Sequence, residues 1–480
     1  MGAGDSYLTN PFGYPGVLAG ETQDKQISNR CALRFVVDQK LLEIWSCEGI
    51  NQLLGSGDCM HLTYRKSCRI CGSSALTKVI DLGAQHLQGS FIKPGKEMPP
   101  LRKISTEIVR CDPTADETAC GLLQTAITVP PAILYSAYWY RSGTNQTMRD
   151  HLKGVADAGV GLAGKDRARV LDIGCNDGTL LNFYPDKFVK FGVDPSDVAQ
   201  EVSGGIRVIQ DMFPSAELSG LIENDRMDII TSIAMFYDLE DPVSFVKGIK
   251  TALSDDGIWI FEMSYMPSML EMNSYDTICH EHLEYYSFAV IEKLLHRCGM
   301  KVVKVEFNDI NGGSIRCYAT HESSFKYKNR IFYQTLEQVR QQEFDLELDT
   351  DKPYRNFQER INQHKEELAT LLKKLKREGN SIHVYGASTK GNTILQWCGI
   401  DNSVIDYAAD RNPEKDGART IGTDIPIISE EKSRAMNPEY YLVLPWHFKK
   451  EFLEREKGAL DRGVGFIFPL PNIEIVKRAP

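Results

Sequence analysis

Short apolar runs bounded by polar or glycine residues recur through the middle of the chain. They occupy positions 170–173, 189–193, 206–211, 227–232 and 257–262. Runs of this kind are typical of parallel strands that are buried on both faces of a sheet. The pattern therefore predicts an α/β domain over residues 129–325.

A second pattern of this type begins after a highly charged stretch. Residues 326–380 carry apolar positions at helical spacing among many charged ones. Because this pattern does not persist for several heptads, it favours a helical connector over a coiled-coil partner site. A strand, a glycine-containing turn and a helix follow over 382–392, with further strands at 404–407 and 440–444. These features predict a small C-terminal α/β domain over 381–480.

The chain before these domains divides into two regions. Residues 1–60 contain one stretch at helical spacing, 37–54, and remain an unassigned N-terminal extension. Residues 61–128 contain four of the twelve cysteines and are predicted to form a zinc-binding module. A chain of 480 residues exceeds what one hydrophobic core usually supports, which agrees with a division into several domains.

Charge and composition exclude several classes of partner. The formal net charge is −10 and the pI is about 5.6, whereas nucleic-acid binding needs a basic surface. No apolar run approaches the roughly 18 residues that span a bilayer, and the first residues lack the features of a signal peptide. Together with scattered cysteines, this predicts a cytoplasmic protein that has no nucleic-acid partner and no membrane span.

A glycine-rich turn directly after the first of the buried runs indicates a nucleoside-binding site. The turn has the pattern Asp172-x-Gly174-x-Asn176-x-Gly178, and its glycines let the backbone approach a ligand closely. Asp194 directly follows the next run, 189–193. At this position a carboxylate can accept hydrogen bonds from both ribose hydroxyls. The third glycine of a dinucleotide-binding loop is missing. The turn is therefore similar to the S-adenosylmethionine (SAM) loop of class I methyltransferases, and a purely structural connection is the alternative.

The cysteine-bearing module contains a candidate zinc site. Cys68 and Cys71 form a Cys-x-x-Cys pair, and Cys111 with Cys120 completes a set of four thiolates. The second pair is spaced more widely than usual, so reduced thiols without metal remain the alternative. Four protein ligands leave no open coordination position, which predicts a structural metal.

A polar and aromatic block at 274–287 is the candidate catalytic segment. Its histidines, His280 and His282, are two residues apart, whereas a zinc protease helix needs them at i and i+4. Two imidazoles, a carboxylate and several phenols suit proton transfer, and bracing of a domain interface is the alternative. A second aromatic cluster, 135–140, either lines the same cavity or packs in a core.

The order of these motifs identifies a resemblance to a known family. From about residue 66 to its C-terminus the chain resembles the sugar C-methyltransferases, which methylate nucleotide-linked 4-keto deoxysugars. The resemblance is carried by the Cys-x-x-Cys module, the SAM loop, Asp241-Pro242 with Phe245, and the segments 261–265, 280–282, 311–316 and 385–392. It implies a class I, Rossmann-like methyltransferase sheet between a zinc-binding module and a second Rossmann-like domain.

The resemblance also implies roles for individual residues. His282 matches the general base, Glu281 lies close by, and Tyr140 matches a hydrogen-bonding group near the reacting sugar. Asp211 matches the position on the adenine side of SAM, and the four cysteines match zinc ligands. The base removes a proton beside the ketone, which gives an enolate that attacks the methyl group of the sulfonium.

Two residues depart from the common pattern of the family. Cys279 stands where a tyrosine is frequent, and Asp238 stands where a histidine is frequent. The general base is retained. These departures leave open which sugar and which carbon atom is methylated.

The C-terminal domain has a candidate phosphate-binding turn at 386–391. Asp410, Arg411 and Lys415 follow nearby, so this turn either holds the diphosphate of the substrate or serves packing alone. For the whole chain, O- or N-methylation of a related molecule and a noncatalytic zinc- and SAM-binding scaffold are the alternative functions.

Overall fold

The computed structural model describes residues 62–95, 102–134, 141–222, 226–327 and 330–478. All of them belong to a compact unit that extends from Met60 to Pro480. The predicted helix at 37–54 and the aromatic cluster at 135–140, which includes Tyr140, lie outside the described residues. Among the described helices, none combines the length and the apolar character that a bilayer crossing demands.

The cysteine-bearing module consists of short strands. These are β1 (Thr63–Tyr64), β2 (Leu76–Ile80), β3 (Ala84–Gln85), β4 (Phe91–Ile92), β5 (Ile104–Ser105), β6 (Ile108–Cys111), β7 (Leu123–Thr125) and β8 (Ile127–Thr128). The four-residue helix α1 (Pro131–Leu134) follows them. Strands of this length bury little apolar surface by themselves, so the module depends on cross-links and on neighbouring domains.

The middle of the chain forms the largest sheet. Its strands are β9 (Arg169–Ile173), β10 (Val189–Val193), β11 (Arg207–Ile209), β12 (Met227–Ile233), β13 (Leu253–Ser264), β15 (Met300–Asn308) and β16 (Ser314–His321), and β14 (Glu284–Tyr285) joins the module instead. Its helices are α2 (Gln146–Ala163), α3 (Thr179–Asn182), α4 (Ala216–Ile222), α5 (Pro242–Ala252), α6 (Met266–Glu271) and α7 (Phe288–Arg297).

The strand order of this sheet is β11-β10-β9-β12-β13-β16-β15. The first five strands of this order run parallel, and β16 pairs antiparallel with both β13 and β15. This is the sheet of a class I methyltransferase, and it confirms the predicted fold class. The carboxyl ends of β9, β10 and β12 meet at one edge, where α/β sheets bind their ligands.

Aromatic side chains fill one face of this sheet. The rings of Trp259 and Phe261 stack with centroids 4.1 Å apart, and Phe236 lies 5.6 Å from Trp259 and 5.5 Å from Phe261. The indole nitrogen of Trp259 donates to the hydroxyl oxygen of Ser232 at 3.0 Å. Rigid packing here holds the turn at Phe236–Asp238, which borders the ligand edge.

Two helices follow the sheet, α8 (Arg330–Asp345) and α9 (Lys352–Arg377). Helix α9 carries the predicted amphipathic pattern. Its buried residues are Tyr354, Phe357, Ile361, His364, Leu368, Ala369, Leu372 and Leu375. They share one core with Ile108 of the module and with Val384 of the C-terminal domain. The helix is therefore a packed spine between two domains, and only its outer face is solvated.

The C-terminal domain is a second α/β unit. Its strands are β17 (Ile382–Tyr385), β18 (Tyr407–Asp410), β19 (Arg419–Thr420), β20 (Ile427–Ser429), β21 (Tyr440–Val443), β22 (Gly465–Phe468) and β23 (Glu474–Val476). Its helices are α10 (Thr389–Cys398), α11 (Glu430–Met436), α12 (Lys449–Arg455) and α13 (Lys457–Asp461). The main sheet has the order β20-β18-β17-β21-β22-β23, which is the Rossmann order with an antiparallel last strand.

The predicted bounds of the strand at 404–407 are wrong. Val404 and Ile405 are buried, but they belong to a turn, and β18 begins at Tyr407. The side chain of Asp401 accepts the amide hydrogen of Ser403 at 2.9 Å, which closes this turn. Apolar burial without alternation does not distinguish such a turn from a strand.

A buried carboxylate connects helices α7 and α8. Glu343 of α8 is 5% exposed, and its two oxygens accept the amide hydrogens of Phe288 and Ala289 in the first turn of α7. One of these oxygens also accepts the hydroxyl hydrogen of Tyr265 at 2.6 Å. Glu343 thus satisfies helix-end donors that have no partner within their own helix.

The substitution Glu343→Gln is expected to lower the free energy of unfolding by about 1–3 kcal/mol, because the amide group turns a donor toward buried N–H groups. Urea unfolding measures this change. The exposed Glu337 of the same helix provides the control, since Glu337→Gln is expected to stay within about 0.5 kcal/mol of the unchanged protein. Equal stability of the two variants would contradict the capping role.

Candidate active site and zinc site

A cavity of about 310 Å³ opens at the carboxyl ends of β9, β10 and β12. Asp172, Gly174, Asn176, Asp194 and Asp211 all line it, so most of the predicted SAM-binding residues lie together. Gly178 is not part of the lining and instead ends the loop as the residue before α3, which begins at Thr179.

The glycine-rich loop has the backbone conformation that its sequence predicts. Gly174 and Gly178 both have φ of 74°, in the left-handed region that favours glycine. A Cβ atom on Gly174 would lie 3.1 Å from Cγ of Met235, and one on Gly178 would lie 2.8 Å from Cγ1 of Val202. Larger residues at these positions would push the loop away from the cavity.

Asp194 is a structural part of the same loop. Its Oδ2 accepts the amide hydrogen of Asn176 at 2.8 Å, and its Oδ1 accepts the amide and hydroxyl hydrogens of Ser196 at 2.8 and 2.6 Å. A carboxylate oxygen accepts two hydrogen bonds, so Oδ2 retains capacity for a ligand hydroxyl. Asp211 lies at the exposed margin of the cavity.

Asp172 lies on the cavity floor. Thr231 donates its hydroxyl hydrogen to Oδ1 of Asp172 at 2.6 Å. Burial raises the pKa of Asp172 to about 7, the Thr231 hydrogen bond opposes this rise, and the charge of Asp194 adds to it. A cationic ligand beside Asp172 would favour its ionised form.

A second carboxylate of the cavity was not assigned a role from the sequence. Glu262 at the end of β13 accepts hydrogen bonds from Arg316 at 2.7 Å and from Asn308 at 3.0 Å, and its other oxygen lies 2.5 Å from Nε2 of His151. Burial raises the pKa of Glu262, but His151 and Arg316 outweigh this effect and hold it below the usual value. The signal in the sequence is a charged residue at the end of the apolar run 257–262.

The candidate base lies next to this cavity. Nδ1 of His282 is 2.7 Å from the carbonyl oxygen of Thr277. A carbonyl only accepts, so Nδ1 carries the hydrogen and Nε2 keeps its lone pair. The ring of Tyr237, which lines the cavity, lies 4.4 Å from the His282 ring. Burial, with a smaller contribution from Lys390, lowers the pKa of His282 to about 3, so the imidazole is neutral.

The other members of the motif have different environments. Both ring nitrogens of His280 are engaged, by Oε1 of Gln88 at 2.6 Å and by the carbonyl oxygen of Ile104 at 3.1 Å. His280 therefore braces the module, as the alternative interpretation of this block stated. Glu281 is adjacent to Gly89, and burial raises its pKa.

The C-terminal domain also borders the segment that contains His282. Nζ of Lys390 donates to the carbonyl oxygen of Asn311, a cavity residue, at 2.8 Å. The indole nitrogen of Trp446 donates to Oδ2 of Asp276 at 3.0 Å. Three parts of the chain thus converge at one place.

The turn of the C-terminal domain is closed by side chains. Ser388 caps α10 by accepting the amide hydrogen of Gly391 at 3.0 Å. Asp410 accepts the amide hydrogen of Ala387 at 2.9 Å, and Nζ of Lys415 donates to the Ala387 carbonyl at 2.6 Å. Arg411 lies 3.8 Å from Glu430 and is half exposed. These contacts fit both packing and a nucleotide site.

Four sulfur atoms meet in the N-terminal module. The Sγ atoms of Cys68, Cys71, Cys111 and Cys120 all lie within 4.8 Å of one another. Sγ of Cys68 is 3.5 Å from that of Cys120, and Sγ of Cys71 is 3.4 Å from that of Cys111. A tetrahedral site with zinc–sulfur bonds of about 2.3 Å separates its sulfurs by about 3.8 Å. The four residues fit a closed zinc site.

One of the two residues between Cys68 and Cys71, Arg69, links the cluster to the candidate active site. Arg69 donates to Oε2 of Glu240 at 3.3 Å and to the hydroxyl oxygen of Thr128 at 2.6 Å. Glu240 follows the turn at Phe236–Asp238, and β14, which follows His282, pairs antiparallel with β7 of the module. The module therefore holds both segments that flank the base.

Three protein-family descriptions match consecutive parts of the chain. A putative zinc-binding domain matches residues 68–135, a methyltransferase domain matches 145–305, and a C-methyltransferase C-terminal domain matches 309–471. The C-methyltransferase NovU of Streptomyces niveus is 26% identical over 415 residues, which are 85% of this chain and 96% of that protein.

Solved structures are similar over a smaller part of the chain. The magnesium protoporphyrin IX methyltransferase of Synechocystis with bound S-adenosylhomocysteine is 12% identical, with a TM-score of 0.30, over 38% of this chain and 90% of that one. A SAM-dependent methyltransferase of Clostridium acetobutylicum is 12% identical, with a TM-score of 0.29, over 36% of this chain and 92% of that one.

The substitution Cys111→Ser is expected to remove bound zinc and to lower the free energy of unfolding by about 3 kcal/mol or more, because metal binding contributes directly to folding. Elemental analysis and urea unfolding measure the two effects. Cys298 is another buried thiol, and Cys298→Ser is expected to keep the full zinc content. Retention of zinc by the Cys111 variant would contradict the four-cysteine site.

The substitution Asp194→Asn is expected to weaken SAM binding about 10- to 100-fold, since it removes a charged acceptor from a buried site. Titration calorimetry with SAM measures the dissociation constant. Asp186 is fully exposed, and Asp186→Asn is expected to leave that constant unchanged. Equal affinities in the two variants would show that Asp194 does not contact the ligand.

Proposed function

Because the chain belongs to the sugar C-methyltransferase family, we propose that it transfers a methyl group from SAM to a carbon atom of a nucleotide-linked 4-keto deoxysugar. The observation that supports this most directly is the state of His282. Its ring is neutral, its tautomer is fixed by Thr277, and it lies against the cavity that contains the predicted SAM loop. Such an imidazole is placed to act as a general base.

SAM occupies the cavity in this proposal and supplies an electrophilic methyl group that needs no metal activation. Asp194 accepts a hydrogen bond from a ribose hydroxyl at the position that its loop contacts leave free on Oδ2. Asp211 lies on the adenine side, and the backbone of Gly174 and Asn176 lies along the ligand. Gly178 supports the loop. The ionised Glu262 and the titrating Asp172 place negative charge near a cationic ligand.

Carbon methylation requires a carbanion, which forms beside a ketone. Nε2 of His282 accepts the proton from the carbon next to the ketone, and the hydrogen bond to Thr277 stabilises the resulting imidazolium. Glu281 lies next to the base and contributes a carboxyl group to the acceptor pocket. Tyr140 is proposed as a further hydrogen-bonding group near the sugar.

The nucleotide of the acceptor extends toward the C-terminal domain. Lys390 lies at the junction between that domain and the cavity, and Lys415 and Arg411 supply further positive charge beside the turn at 386–391. A diphosphate carries negative charge that such groups neutralise. The four cysteines hold zinc as a structural ion in the module, away from the methyl group.

Exchange of the acidic proton tests this function. Candidate 4-keto nucleotide sugars are incubated with the protein in deuterated water, with S-adenosylhomocysteine in place of SAM. We expect deuterium uptake next to the ketone, and His282→Asn is expected to slow it at least about 100-fold, because general-base catalysis contributes a factor of about 10² to 10⁴. Nuclear magnetic resonance measures the uptake.

The exposed His296 provides the matched control, and His296→Asn is expected to exchange at the rate of the unchanged protein. Methylated product that forms without any exchange would contradict C-methylation and support transfer to oxygen or nitrogen. A protein that binds SAM and the sugar without turnover would support the scaffold.

A further inference from the structure

Asp238 is a cavity residue whose side chain is incompletely hydrogen-bonded. It ends the turn that follows β12 and lines the cavity together with Tyr237. Its Oδ1 is buried and has no hydrogen-bond partner within the described part of the chain. A buried oxygen without a partner costs about 1–3 kcal/mol, so its retention calls for a function.

Two further oxygens near Asp238 share this property. Oε2 of Glu281 and the hydroxyl oxygen of Tyr285 are also buried without a hydrogen-bond partner among the described residues. Asp238 interacts electrostatically with Glu281, and Tyr285 interacts with both carboxyl groups. Asp238 follows Tyr237, whose ring contacts His282, and Glu281 precedes His282 in the chain, so an acceptor bound beside His282 would approach these polar groups.

The charges around Asp238 and Glu281 determine whether these carboxyl groups are protonated. Burial and the charges of Glu281 and Glu284 raise the pKa of Asp238 well above its usual value. The neighbouring cations have other partners, since Arg69 donates to Glu240 and Lys390 donates to Asn311. Two carboxyl groups that share a dry site do not both ionise. Burial and like charge thus favour the protonated form of Asp238, which is a hydrogen-bond donor.

We propose that Asp238 donates a hydrogen bond to the ketone oxygen of the acceptor sugar and stabilises the enolate. The inference rests on the proposed function. When the carbon–hydrogen bond breaks, the proton moves to Nε2 of His282 and the electron pair moves onto the oxygen that Asp238 contacts. The new carbon–carbon bond then forms as the sulfur–methyl bond breaks, the ketone returns, and the imidazolium releases its proton to water.

This role of Asp238 accounts for the two departures from the family pattern, Cys279 and Asp238, together. Cys279 replaces a frequent tyrosine, and a thiol is a weak donor compared with a phenol. The pKa of Cys279 is raised well above its usual value by burial and by the charge of Glu281, so the thiol adds no anion. Asp238 supplies a stronger donor than the Cys279 thiol.

The pH dependence of deuterium exchange tests this assignment. The titratable or charged groups around Asp238 are Tyr237, Cys279, Glu281, His282, Glu284 and Tyr285. The donor is present below the pKa of Asp238 and lost above it, so exchange by the unchanged protein is expected to fall at alkaline pH. Asp238→Ala is expected to slow exchange about 100-fold below the alkaline fall, the usual effect of removing one such donor, and the difference from the unchanged protein is expected to shrink above it.

Asp238→Asn keeps a donor that does not titrate. This variant is expected to exchange within about tenfold of the unchanged protein and without the alkaline fall, which a purely structural role of Asp238 would not produce. Asp255 is an exposed aspartate, and Asp255→Asn is the matched control that keeps both the rate and the alkaline fall. SAM affinity and zinc content show that each variant is folded.

Exchange by the alanine variant at the unchanged rate would overturn the assignment, as would an asparagine variant that is as slow as the alanine variant or that keeps the alkaline fall. These outcomes leave the proposed function intact, because the unchanged protein still exchanges. If the unchanged protein shows no exchange with any sugar that it methylates, C-methylation fails and the role of Asp238 fails with it.

Discussion

The chemistry proposed for this protein depends on a neutral imidazole that is enclosed by the protein. His282 has its low pKa because it is buried, and its tautomer because one backbone carbonyl accepts from Nδ1. Burial of a loop with this many polar groups requires partners for most of them. The zinc-binding module and the C-terminal domain supply several of those partners from two directions, so the position of the proposed base depends on all three domains.

The zinc site supports the position of His282 through backbone pairing and through the side chain of Arg69. The module consists of short strands that bury little apolar surface, and four cysteine sulfurs fix the segment that carries Arg69. Arg69 reaches Glu240, and β7 pairs with β14 just after His282. A metal ion that takes no part in methyl transfer thus contributes to the position of the base, because the strands that flank the base are its structural neighbours.

Local sequence patterns predicted the elements that depend on local chemistry. The SAM loop can be recognised from the sequence because a strand, two glycines and a later aspartate have fixed spacing. The cysteine set can be recognised because few residue types bind zinc. The packing of α9 against two domains and the pairing of β14 with the module depend on contacts between distant residues, which periodicity does not encode. Glu262 and Asp238 belong to this second class, since their partners His151 and Glu281 come from other elements.

The SAM cavity around Glu262 and the region around Asp238 differ in the charge of their buried carboxyl groups. Glu262 is ionised because His151 and Arg316 contact it, which gives the SAM cavity a fixed negative charge that suits a sulfonium ligand. Burial raises the pKa of both Asp238 and Glu281, and the charges of Glu281 and Glu284 raise that of Asp238 further, which favours protonated carboxyl groups that donate hydrogen bonds at that end. An enolate gains from donors and loses from anions. In the proposed mechanism the same residue type, a buried carboxyl group, serves the cationic donor at one end and the anionic intermediate at the other, and the difference is set by the neighbours of each group.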